Sequence, residues 1–117
     1  MRDKQKYLEI RQKIIKPTME RLKTEYEAKG YKCQIGAIKP PDVTEGSRQG
    51  TRIIRSTYGA ISLTVYDEDS SLGTVSIFLS DSGSVVVKEM DVIFGHKYNL
   101  DEITPEVVEN EIRKVFG

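Results

Sequence analysis

The chain has 117 residues, 38% hydrophobic and 31% charged, and no net charge. That length suits one domain with a single core, and the patterned apolar residues exclude a disordered chain. No apolar run approaches the roughly 18 residues of a membrane span, and none follows the polar start Arg2-Asp3-Lys4, so neither a membrane segment nor a signal peptide is expected.

The first predicted element is a helix over Arg2–Lys29. Tyr7, Leu8, Ile14, Ile15, Met19, Leu22 and Tyr26 fall on one side at the 3.6-residue period, with charged residues elsewhere. Gly30 supplies the stop, because glycine takes the left-handed conformation freely at C′. Pro17 has no N–H to donate and its ring crowds the carbonyl of Lys13, so a kink near Pro17 is expected. The apolar stripe stays in phase from Ile14 and Ile15 to Met19 and Leu22, which favours a kinked helix over two separate ones.

Strands follow. Tyr31–Ile38 alternates, with Tyr31, Cys33, Ile35 and Ala37 on one face. Cys33 is the one cysteine; it can form no internal disulfide and reads as a small core side chain. A loop is predicted over Lys39–Gly50, opened by Pro40-Pro41. Strands are then predicted over Thr51–Tyr58, Ala60–Tyr66, Thr74–Leu79 and Ser84–Met90, the last extending toward Phe94. The acidic turn Asp67–Gly73 and the turn Ser80–Gly83 are short, so the strands should be antiparallel neighbours. The chain closes in a helix, with Thr104 as N-cap, Pro105 at N1 and Glu106 in the first turn. Val108, Ile112 and Val115 line its apolar face.

Ile61, Leu63, Val65, Val75, Ile77 and Leu79 make one apolar sheet face, and both helices should cover it. The fold expected for residues 1–117 is therefore one α+β domain. It is a two-layer sandwich with a long N-terminal helix, an antiparallel meander of four or five strands and a C-terminal helix, both helices on one sheet face.

Few residues carry recognisable chemistry. His96 is the one histidine and reads as a loop residue in Phe94-Gly95-His96-Lys97-Tyr98. A Cys33–His96 pair is the only dyad of that kind the composition allows, and neither residue sits in a nucleophile motif. Asp67, Glu68, Asp69 and Ser71 start like a calcium loop, but Leu72 stands where the sharp-turn glycine belongs and Phe78 where the bidentate glutamate belongs. Zinc needs about four N or S ligands. No catalytic residue, metal site or cofactor is therefore expected.

Charge is unevenly spread. Residues 1–55 hold 14 Lys or Arg against 7 Asp or Glu, and residues 56–117 hold 4 against 11. Such asymmetry points either to a charged partner or to two halves that face each other. Arg48, Arg52 and Arg55 are the candidate anion-binding residues, because guanidinium forks grip phosphate or carboxylate. Arg52 and Arg55 would lie on opposite faces of an ideal strand. Tyr66 and Phe78 are the candidate partner surface, an exposed aromatic pair on a polar sheet face that also carries Ser62, Thr64 and Ser76.

The expected function is a non-catalytic module that contacts another macromolecule, a protein first, through its sheet face or helices. A second copy of the chain is one such partner. The alternative is a nucleic-acid or nucleotide/phosphate-binding protein using the basic first half. A small enzyme with a Cys–His pair stands third. The expected setting is cytoplasmic.

Overall fold

The computed structural model describes residues 2–38, 60–68, 70–80, 83–89 and 95–117. The predicted loop Lys39–Gly50, the predicted strand Thr51–Tyr58 and the arginines Arg48, Arg52 and Arg55 lie outside the described residues, as does the extension toward Phe94.

The N-terminal helix runs as α1 (Arg2–Ile10), a π-helical turn (Arg11–Ile15) and α2 (Lys16–Ala28). The irregularity expected at Pro17 is thus a π turn just before it, closed by the Lys16 N–H donating to the Arg11 carbonyl. A π turn holds one residue more than an α turn. The buried residues are accordingly Tyr7 and Ile10 before it and Ile15, Met19, Leu22 and Tyr26 after it. Leu8, expected in the stripe, is exposed. The helix ends as predicted at Gly30, with φ +101°. The Tyr31 N–H donates to Tyr26 O and the Gly30 N–H to Glu27 O, the paired bonds of a Schellman stop.

Five antiparallel strands form one sheet in sequence order: β1 (Lys32–Ile38), β2 (Ala60–Asp67), β3 (Ser70–Leu79), β4 (Val85–Glu89) and β5 (His96–Tyr98). The β2–β3 hairpin is tighter than the predicted acidic turn. Asp67 pairs with Ser70, and a register shift at Val65/Tyr66 leaves Leu72 as an extra residue in β3. That bulge lets the ladder continue through Ser70–Gly73, so β3 begins four residues before the predicted Thr74. A 3-10 turn (Leu100–Glu102) leads to α3 (Pro105–Phe116). Thr104 caps α3 by accepting the Val107 N–H at 3.2 Å.

One core joins both helices to one face of the sheet. Ile61, Leu63, Val65, Val75, Ile77, Leu79, Val85 and Val87 meet the helix residues above together with Val108 and Ile112. Cys33 is only half-buried at the margin of this core. It lies on β1, an edge strand among the described residues, where the cover thins.

The opposite face is not uniformly wet. Ala60, Phe78 and Val86 form a second buried cluster, and Ser62 and Ser76 are buried beside them. Phe78 is therefore not the exposed aromatic expected, and it does not neighbour Tyr66. Phe78 pairs with Val86 of β4, whereas Tyr66 sits at the other end of β2, opposite Lys32 and Ser71. Alternation fixes which face a side chain takes, but not whether something covers that face.

Candidate functional site

Two surfaces bring together residues with functional potential. The first is the open half of the second sheet face. The register places Lys32 and Gln34 of β1, Thr64 and Tyr66 of β2 and Thr74 of β3 side by side. Thr64 and Thr74 share a hydroxyl hydrogen bond at 2.8 Å, and both are half-buried. Tyr66 is half-exposed. Leu72, carried out by the bulge next to Tyr66's partner Ser71, is 47% exposed. Of the predicted pair, Tyr66 belongs to this surface and Phe78 does not.

The second is a polar cluster between β5 and α3. His96 and Tyr98 are opposite Val87 and Val85, so both point to the helix side of the sheet. There they meet Glu111, a carboxylate only 6% exposed. The His96 ring Nδ1 lies 2.7 Å from Glu111 Oε2. The Tyr98 hydroxyl and Lys114 Nζ each donate to Oε1 at 2.9 Å. Burial is the largest influence on the Glu111 carboxyl and would raise its pKa. The hydrogen bonds from Lys114, His96 and Tyr98 together outweigh it and hold the group below its ordinary range. An ionised carboxylate only accepts, so the His96 Nδ1 is the donor in this contact. Burial, and then the bond to Glu111, push the Tyr98 phenol up to about 12.

Beside this cluster is a cleft of about 210 Å³ lined by Val75, Val87 and Val115 together with Glu89 and His96. A carboxylate that orients an imidazole is half of an acid–base device. Among the described residues, no serine, threonine or cysteine lines this cleft. Cys33 cannot complete it, because β1 and β5 are the two ends of the described sheet order, roughly 19 Å apart at about 4.8 Å per strand. The Cys33–His96 pair considered from composition does not form. Among the described residues no cluster of three or more His, Cys, Asp or Glu is placed to hold a metal ion, and no helix is long and apolar enough to cross a membrane.

His96 is thus a strand residue with a buried partner, not a loop histidine. One signal in the sequence pointed to that partner. Glu111 falls within the α3 stripe, three residues after Val108 and four before Val115, where a solvated charge does not belong.

The charge asymmetry is partly internal. Lys6 pairs with Asp101, and Arg21 pairs with Glu109. Glu109 also accepts from Arg113 at 2.8 Å, and Arg113 reaches Glu25 at 2.8 Å. The basic N-terminal helix therefore lies against the acidic C-terminal segment.

No protein-family model, curated protein or solved structure matches this chain.

Proposed function

We propose that this protein is a non-catalytic binding module whose partner is another protein, held on the open half of the second sheet face. One observation carries the reading: Tyr66 stands partly exposed among the small or polar residues Lys32, Gln34, Thr64 and Thr74, and exposed Leu72 follows its ladder partner Ser71. An aromatic anchor inside a polar rim is a usual composition of a contact hot spot. The hydrogen-bonded β-sheet holds the backbone of both residues in place.

The nucleic-acid alternative has less support. Lys6 and Arg21 of the basic half are already engaged by Asp101 and Glu109.

A photo-crosslinking residue at position 66 of the full chain should capture a discrete protein. With that protein purified, Tyr66→Ala and Leu72→Ser should each weaken binding by about 30-fold, as expected for loss of about 2 kcal/mol at a hot spot. Unchanged affinity in the double variant sinks the reading. A low-salt gel shift with mixed oligonucleotides should show nothing at tens of micromolar protein, where non-specific binders with Kd of about 10⁻⁴ to 10⁻⁶ M at physiological salt begin to shift.

A further inference from the structure

The π turn has a consequence for charge. On an α-helix, two residues five apart point about 140° away from each other. In the π turn the Lys16 N–H bonds to the Arg11 carbonyl, which stacks residue 16 over residue 11. Arg11 and Lys16 therefore line the same cleft, a space of about 280 Å³ between the helix and the β1–β2 end of the sheet. Gln12 stands between them on the helix wall, and Ile35, Ala37 and Ile61 supply the facing apolar wall. Among the described residues, no carboxylate lines it.

Three other cations of this helix are engaged: Lys6 with Asp101, Arg21 with Glu109 and Lys23 with Glu27. Among the described residues, Arg11 and Lys16 have no carboxylate partner. Arg11 instead lies beside the hydroxyl of buried Tyr7, which orients the guanidinium without neutralising it. Two unneutralised cations converging over an apolar wall are complementary to an anion with an apolar body. Single π turns inside α-helices are frequent at functional sites.

We propose that this cleft binds a small organic anion. Its carboxylate or phosphate head lies between the Arg11 fork and the Lys16 ammonium, and its short apolar chain lies on Ile35, Ala37 and Ile61. Gln12 provides a neutral donor to the same head group. Arginine offers a planar fork for a two-oxygen head and lysine a compact point charge, so the pair suits both head types. The size of the space limits the ligand to a small molecule. This site is separate from the Tyr66 surface and does not depend on it.

The test is titration of the full-length protein with hexyl phosphate and hexanoate, followed by calorimetry and amide chemical shifts. Saturable 1:1 binding is expected, with the shifts centred on residues 11–16 and 35–37. Inorganic phosphate should bind at least about tenfold more weakly, and neutral hexanol should not saturate. Lys16→Gln and Arg11→Gln should each weaken binding tenfold or more, in line with loss of one charge-assisted contact. Lys16 is exposed, so that variant keeps its fold, which the unfolding curve verifies. Inorganic phosphate binding as tightly as hexyl phosphate overturns the apolar half of the proposal. Binding to anionic phospholipid vesicles without binding of hexyl phosphate overturns the small-molecule assignment. Wild-type affinity in the Arg11→Gln/Lys16→Gln double variant, or no saturation by 10 mM of about the best probe, overturns the whole.

Discussion

Glu111 shows how much depends on single partners. A carboxylate this deeply buried survives ionised only because His96, Tyr98 and Lys114 all bond to it. Its folded pKa lies below the ordinary value. Its stabilisation is therefore fully present above the unfolded value of about 4.3 and is lost as pH falls through the lower folded value. Glu111→Gln should cost about 1–3 kcal/mol at neutral pH, since charged hydrogen bonds become neutral or are lost. It should also flatten the acid side of the stability profile. Urea unfolding of both proteins from about pH 6 to pH 3 checks this; parallel profiles would refute the linkage. At this scale the terminators were legible. Gly30 and Thr104 act through their own backbone and hydroxyl chemistry, which sequence displays directly. The burial of Phe78 is not legible in the sequence, because alternation assigns a side chain to a face and not its exposure there.

At the scale of elements, the π turn decides which N-terminal residues enter the core. Carried back from Ile15 in an unbroken α phase, the stripe reaches Leu8. With one residue absorbed, it reaches Ile10 and Tyr7, the residues found buried. Ile10→Ala should therefore destabilise the protein by about 2–4 kcal/mol as a core truncation, and Leu8→Ala by less than about 0.5 kcal/mol as a surface change. Chemical denaturation of the two variants distinguishes the phases, and the reverse order would exclude the π turn. Deletion of Gln12 brings Ile10 and Tyr7 four and seven residues before Ile15, the spacing of a regular α-helix. That variant should keep its helical circular dichroism and its Tm. Pro17 announced an irregularity here, but its form depended on matching two apolar segments to one sheet.

For the molecule as a whole, the ion pairs tie the two ends of the chain together. Arg21, Glu109, Arg113 and Glu25 alternate in sign across α2 and α3. Hydrogen bonds from Arg113 are the main reason the Glu25 carboxyl sits below its ordinary range, and bonds from Arg21 and then Arg113 do the same for Glu109. The network is largely solvent-accessible, so salt should screen it. Arg113→Gln should lower Tm at low ionic strength, and the difference should shrink toward 1 M salt, where the Debye length is about 3 Å. A Tm difference independent of salt would assign Arg113 a packing role instead. Beside it, Tyr26 packs edge-on to Phe116, with ring centroids 6.0 Å apart, and its hydroxyl donates to the Gly117 carbonyl at 3.0 Å. The helix ends are thus joined by both apolar and polar contacts.

The amino-acid sequence by itself determined the α+β class, the helix at each end with antiparallel strands between them, the helix stop and cap, and the apolar sheet face that both helices cover. These follow from periodicity and from the backbone preferences of glycine, proline and threonine, which act within a few residues. Only the tertiary structure decided the rest: the π turn, the β2–β3 bulge, the short strand carrying His96, the burial of Phe78 and the meeting of Glu111 with His96 and Tyr98. Each of these depends on which distant segment arrives opposite, 13 to 15 residues away for the Glu111 contacts and 88 for the bond between Arg113 and Glu25. Local propensity carries no record of such partners, because the free energy that selects them comes from burial and pairing in the assembled core.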